Sequence, residues 1–255
     1  MVRWLLNNIP SLPLFVAVTA AAIGIGVLAE VYRQRTTRRS RRHSNEMLGV
    51  AFDFVGIAYA ILIGFVIVAL WDSQVDVRET VDAEAGSLRG IAIVGGALPA
   101  DEARRIDEAV HAYGRSVVAT EWPALRHGRE SPETEAAARA LFTEIVAGDR
   151  SDDLAGSVQE EMIGAFSEFY DLRIHRLGEA NAHLAGELWV LVLLASLALI
   201  ALVSGFERER RWDVVATVAV AGTMGIVIFV IVSLSYPYSG DVSVSSDPFV
   251  KLVLR

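Results

Sequence analysis

The chain has 255 residues, 53% of them hydrophobic, with a mean hydropathy of +0.41 and a formal net charge of −8. That balance fits a polytopic membrane protein carrying one modest polar domain. Cysteine is absent and Lys251 is the single lysine. These counts exclude disulfides, thiolate nucleophiles and Cys-ligated metals, and they argue against Schiff-base chemistry.

Four apolar stretches are predicted to span a bilayer: Leu12–Val31, Val50–Trp71, Leu188–Phe206 and Val214–Tyr236. Each has about the 20 residues that a helix needs to cross a hydrocarbon core of ~30 Å. The first begins after Pro10 and Pro13, near a helix start where proline is tolerated. Ala20 and Ala22 resemble a signal-peptidase site, but the apolar run continues through Ile23–Val31 into an Arg cluster, the pattern of a retained stop-transfer helix. Ser44 or Asn45 is the expected cap of the second span.

Beyond Trp71 no Gly or Pro intervenes until Gly86, and Val75, Val81 or Asp82, Ala85 and Leu88 recur at helical spacing. The second helix is therefore expected to leave the bilayer and run to about Ile93, ending at Gly95, Gly96 and Pro99. A helix should follow from Pro99–Asp101 to Trp122, and another from the Ser131-Pro132-Glu133 start signal to Val146. From Asp153 a long pattern through Leu154, Val158, Met162, Phe166, Phe169 and Leu172 leads into the third span. After the fourth span, 241–245 alternates like a short strand and Asp247-Pro248-Phe249 can open a last helical turn.

The predicted fold is all-α. It has four membrane helices and a helical extramembrane bundle formed by extensions of the second and third of them. The division is 1–71 for the first two membrane helices with an Arg-rich loop at 33–48, 72–186 for the acidic bundle, 187–236 for the last two membrane helices, and 237–255 for a C-terminal tail. The loop Arg33–Arg42 carries six Arg and Glu207–Asp213 carries three more. Short basic loops stay cytoplasmic, which places both termini and residues 72–186 outside the cytoplasm. Residues 72–186 hold 22 acidic side chains against 11 Arg, a net −11, while the remainder sums to +3. Such an acidic body repels a phosphate backbone, so nucleic acid is not an expected partner; the lipid bilayer is.

Within the second span, Gly56, Ala60 and Gly64 form a small-residue stripe that allows close helix packing, and Asp53 shares its face. A carboxylate in a span marks an ion path, a relay or a paired site; nearness to the cytoplasmic edge also allows Asp53 to cap the helix or pair with a loop Arg. Asp171, His175, Glu179, His183 and Glu187 follow one another at four-residue steps. Of these, His175, Glu179 and His183 are candidate metal ligands, although a solvated helix face has the same spacing. Arg173 and Arg176 are expected to pair with acidic groups of the insert or meet headgroups. Glu121-Trp122-Pro123 reads as a helix end with its Trp packed inward, while Trp71 and Trp189 read as interface anchors. No nucleophile–base pair or Gly-rich phosphate loop occurs, so no enzyme activity and no cofactor are expected.

Several motifs together resemble the bacterial membrane-protein family that carries a bestrophin-like domain. They are His43 and Asn45; Tyr59-Ala60-Ile61-Leu62-Ile63-Gly64-Phe65 closing on Trp71; Glu84-Ala85; Leu98-Pro99; Tyr113; Glu121-Trp122-Pro123; Ser131-Pro132; Arg173 with Arg176-Leu177; Leu188-Trp189; and Pro237-Tyr238-Ser239-Gly240, where the family usually has Phe at the second position. The resemblance covers nearly the whole chain. It implies kinship with bestrophins, which are pentameric anion channels whose second helix lines the pore, and a multi-pass protein of the bacterial inner membrane. Phe52, Phe54 and Phe65 do not repeat at the four-residue steps of a bestrophin pore ladder. The expectation is a homo-oligomeric ion channel with inorganic ions as cargo, its selectivity open. The pore or packing candidates are Asp53, Gly56, Ala60, Gly64 and Phe65. The alternative is a non-conducting membrane scaffold or sensor whose bundle binds a partner or ligand.

Overall fold

The computed structural model describes residues 2–36, 44–147, 153–180, 184–206 and 210–254, with the side chains of Thr36, Ser44, Asn45 and Arg210 excepted. The described residues form helices α1 (Val2–Asn8), α2 (Ser11–Thr36), α3 (Ser44–Gly95), α4 (Ala100–Ser116), α5 (Trp122–Leu125), α6 (Pro132–Val146), α7 (Asp153–Glu179), α8 (Gly186–Gly205), α9 (Arg210–Leu234) and α10 (Asp247–Val253). Stretches of α2, α3, α8 and α9 are long and apolar enough to cross a membrane. The chain divides into two compact units: a span unit, Met1–Asp72 with His183–Ser235, and a polar unit, Ser73–Ala182 with Tyr236–Arg255.

In the span unit the tightest seam joins α2 to α9, because two glycines remove the side chains that would hold the backbones apart. A Cβ at Gly26 would lie 2.9 Å from that of Ala221, and one at Gly225 would lie 2.8 Å from the Thr19 Cα. Small residues at such a seam let dispersion and backbone packing replace the missing hydrophobic drive in lipid. One end of the seam is fastened by charge. Buried Glu30 accepts from Arg33 Nη2 at 2.6 Å and from Gln34 at 2.7 Å, and Arg33 also reaches Asp213 of α9 at 3.4 Å. Tyr59 of α3 meets Ser196 of α8 through a buried 3.0 Å hydrogen bond.

In the polar unit, α3 buries Val77, Val81, Ala85, Leu88 and Ile91; of the expected row Val81, Ala85 and Leu88 are inside and Val75 is only half-buried. Helix α6 starts as its sequence dictates, with Ser131 Oγ accepting the Thr134 amide and Pro132 at the first helical position. The helix expected to run unbroken to Trp122 instead widens into a π-turn, Val117–Glu121, before α5. Pro123 has no N–H to give and its ring crowds the carbonyl four residues back; the Trp122 amide reaches five residues back, to Val117. Helix α7 stops at Glu179 and α8 starts at Gly186, with Ala185 extended at ψ 141°, so the helical path into the third span is interrupted.

Residues 241–245 form no strand; a turn places the Val244 amide 2.8 Å from the Pro237 carbonyl. Gly240 lies at φ 81°, where a side chain would be strained. The C-terminal segment then closes on the polar unit through α10, whose Val253 would sit 3.0 Å from a Cβ at Gly114.

Candidate functional site

Charged residues placed in apolar slots build the centre of the polar unit. Along α3 the buried row 77, 81, 84, 88, 91 includes Glu84; along α4 and the π-turn the row 106, 110, 113, 117, 121 ends on Glu121; along α7 the row 162, 169, 173, 176 contains two arginines. Glu84, Glu121 and Arg176 are 0% exposed and Arg173 is 3% exposed. Burial of this kind is tolerated only when the charges pair and their hydrogen bonds are met.

They do pair. Arg176 donates to Glu84 through Nε and through Nη2 at 3.1 Å, and to Glu121 at 2.6 Å. Arg173 donates to the other Glu121 oxygen at 2.7 Å and to Glu135 at 2.7 Å. The Tyr113 hydroxyl donates to Glu84 at 2.6 Å, and Tyr170 and Arg139 complete Glu135 at 3.2 and 2.9 Å. Trp122 and Phe249 wall the Arg176 guanidinium, their ring centres 5.5 and 5.6 Å from Cζ. The Trp122 indole donates to the Val244 carbonyl at 3.3 Å, so the C-terminal segment seals this side.

Burial alone would lower the pKa of Arg176, but Glu84, Tyr113 and Glu121 together raise it well above the ordinary value. Arg173 is likewise raised against its own burial, chiefly by Glu121. Burial and then the Glu84 carboxylate push Tyr113 well up, and burial pushes Tyr238 up. Glu135 is lowered despite burial by its bonds to Arg139, Arg173 and Tyr170. Three carboxylates face three guanidiniums, and this arrangement fixes α3, α6, α7 and the π-turn to one another.

In the span unit, Asp53 lies on an exposed face of α3 and pairs with no cation among the described residues. Ile57, Ala60, Ile61, Gly64, Phe65 and Val68 are also exposed, while Tyr59, Ile63 and Val66 are buried on the opposite face. Gly56, Ala60 and Gly64 do not mediate a close contact within the chain: a Cβ at Gly56 would find its nearest neighbour 3.9 Å away, and one at Gly64 would find nothing within 4 Å. With Leu199, Val220 and Met224 they line an apolar groove of about 730 Å³.

The remaining candidates are scattered. His175 is exposed, its Nδ1 3.4 Å from Thr80 Oγ1; Glu179 is half-buried; His183 lies outside the described residues. Among the described residues no three His, Asp or Glu side chains converge as metal ligands. Trp71 is exposed, Trp122 and Pro237 are buried, Pro123 is exposed, and Asn45 belongs to α3 with its side chain outside the described set. Sequence reading singled out Glu84, Glu121, Arg173 and Arg176 but missed Glu135, Tyr170, Phe249, Glu30 and Asp213. For Glu30 the available signal was a charge standing at the end of an apolar helical row, whereas Tyr170 and Phe249 carry no such signal.

The family model of the Bestrophin-like domain matches residues 18–249. A crystal structure of a substituted bacterial bestrophin homologue from Klebsiella pneumoniae superimposes with a TM-score of 0.66 at 18% identity, covering 94% of this chain and 99% of that one. A second variant from the same organism gives 0.63 at 17% identity over 93% and 95% of the two chains. A crystal structure described as a membrane protein gives 0.64 at 17% over 94% and 95%. At such identities the likeness shows the fold. No curated protein matches the chain.

Proposed function

The chain belongs to the bestrophin-like family, and from that premise we propose that it forms a homo-oligomeric ion-conducting pore whose axis is lined by the exposed face of α3. The observation that carries this reading is Asp53. Its carboxylate stands exposed on a membrane-spanning helix with no partner among the described residues. A carboxylate facing lipid costs about 2.5–3.5 kcal/mol at a helix centre on the mildest scale and less near the edge of a span, where Asp53 stands, and water or a neighbouring copy would meet it. The face it shares combines small Ala60 and Gly64 with apolar Ile57 and Val68.

Cations are the favoured cargo. Residues 72–186 carry a net −11, and a body of one sign of charge concentrates ions of the other around it. The Arg-rich loops set the direction, with both termini and the acidic unit outside the cytoplasm. The absence of native Cys makes the test direct. Single Cys residues at Asp53, Ala60, Gly64 and Val68 are expected to let a charged thiol reagent block current in planar bilayers, while Cys at buried Tyr59 or Ile63 is not. Block at the buried positions alone would move the path off this face.

A further inference from the structure

Arg173 and Arg176 lie inside the polar unit and present no charge to a membrane surface. One exposed basic turn, in contrast, is tied to the point where the chain leaves its last span. Leu125 at the end of α5 is buried, and beyond it Arg126, His127 and Arg129 are all exposed. The Gly128 amide bonds the Leu125 carbonyl at 2.9 Å and the Arg129 amide bonds that of Ala124 at 3.1 Å, with Gly128 at φ 68° to close the turn. Leu125 and Trp122 belong to the core beneath it, so the basic side chains stand on a fixed base. His127 Nδ1 donates to the Pro123 carbonyl at 3.0 Å, which leaves Nε2 for an outside partner. Arg129 pairs with no carboxylate among the described residues.

Two contacts hold this turn beside the chain's exit from α9. Ser239 Oγ donates to the Arg126 carbonyl at 3.0 Å, and the Trp122 ring packs edge-on against Tyr238 with centroids 5.4 Å apart. Ser239 is itself close to the exit. Its amide bonds the Tyr236 carbonyl at 3.0 Å, a turn that keeps the two Cα atoms within about 7 Å. Tyr236 follows directly on Ser235, the residue after α9 closes at Leu234. Adding that one Cα step of about 3.8 Å leaves Ser239 within about 11 Å of Ser235. The headgroup layer is about 5–7 Å deep on each side of the hydrocarbon core, and its charge is felt about 8 Å further at physiological salt.

We propose that Arg126, His127 and Arg129 form a docking point for the phosphate of an anionic phospholipid headgroup. The occupant is a lipid because the turn is tethered at the end of a span, and it is anionic because guanidinium N–H forks match phosphate oxygens. The distribution of charge supports the assignment. Residues 72–186 carry a net −11, yet within Trp122–Ser131 two arginines face the single acid Glu130. An anionic membrane surface repels the acidic body, and a basic contact at the chain's exit offsets that repulsion. Phosphate headgroups line both leaflets, so the inference needs α9 to cross the bilayer but requires neither conduction nor a direction of insertion.

The test uses the full chain with one fluorophore on Ala124→Cys, reconstituted in phosphatidylcholine vesicles. A spin label sits high on the acyl chain of added phosphatidylglycerol or of added phosphatidylcholine, and its quenching of the fluorophore is read. Both lipids are expected to quench, phosphatidylglycerol more strongly, while a fluorophore on Ala100→Cys, at the opposite end of α4, is quenched by neither. Arg126→Gln and Arg129→Gln should each lower the phosphatidylglycerol preference about fivefold, Arg129→Lys should keep most of it, and Glu130→Gln should raise it. Arg129 has no partner to lose, so Arg129→Gln carries the test if Arg126→Gln disturbs the fold; unchanged phosphatidylcholine quenching shows each variant folded and in place. No quenching at position 124, or equal quenching at position 100, overturns the placement. Equal quenching by the two lipids, or a preference that Arg129→Gln leaves intact, overturns the headgroup assignment. Loss of the preference to added inorganic phosphate at constant ionic strength means a site for free anions and also overturns it.

Discussion

The two units of this molecule solve the packing problem with opposite materials. The span unit relies on absence: Gly26 and Gly225 let α2 and α9 touch through backbone, while Gly56, Ala60 and Gly64 leave a groove beside α3 unfilled. The polar unit relies on presence: Arg176 and Arg173, with almost no exposed surface, hold Glu84, Glu121 and Glu135 inside an apolar bundle. In lipid, apolar side chains gain little by turning inward, so small residues decide contacts. In water the apolar core forms readily, and the buried charges decide which helices pair and in what register. The lesson is that family-matching charges need not be functional in the chemical sense; here they hold a scaffold together.

The largest effect that would break this contrast is at Arg176. Arg176→Met leaves Glu84 and Glu121 buried without their shared cation and should cost the polar unit about 3–5 kcal/mol, while adding Glu84→Gln recovers part of the loss. Thermal melts by circular dichroism in detergent read this, and an unchanged melt for the single variant would show that the network is dispensable. In the span unit, Gly225→Leu forces a side chain against the Thr19 backbone and should cost about 1–3 kcal/mol, by the overpacking of a closed seam. Gly64→Leu should cost far less, since it meets open groove; equal losses would erase the distinction between the two glycine sets.

The smallest and most specific effect is in pH. Tyr113 and Tyr238 have raised pKa values in the folded chain, so their contribution to stability is complete below the ordinary tyrosine value and is lost as pH rises through the folded one. Glu135 is depressed, so its contribution is present above the ordinary carboxylate value and disappears as pH falls through the folded one. Ultraviolet titration should show at least two of the six tyrosines, Tyr113 and Tyr238 among them, resisting ionisation until the unit unfolds in alkali. Six tyrosines titrating together in folded protein would contradict the buried hydroxyls.

The sequence carried the helices because each signal was local. The spans are contiguous apolar runs, the Ser131-Pro132 and Asp247-Pro248 starts act within one turn, and the structure has α6 and α10 where those starts stand. The π-turn was not readable, since Pro123 announces only that a helix is disturbed and not that it widens. Along α3 the expected Val81, Ala85 and Leu88 are inside, but Val75 and Val77 are equally apolar, and only the packed unit shows that Val77 is the one that turns inward. Phe249 was invisible as a wall of the same site because nothing near it in the chain refers to Arg176. The stripe Gly56, Ala60, Gly64 was visible as a pattern, yet the pattern does not say whether small residues admit a helix or leave a groove.

The central claim, an ion path along α3 past Asp53, meets its most direct test in the reversal potential of purified protein in a planar bilayer across a KCl gradient, with Asp53→Asn beside it. The account predicts a current whose reversal potential favours K⁺, reduced in conductance or cation preference by the substitution. An active protein whose conductance and selectivity are the same with and without the Asp53 charge would contradict it.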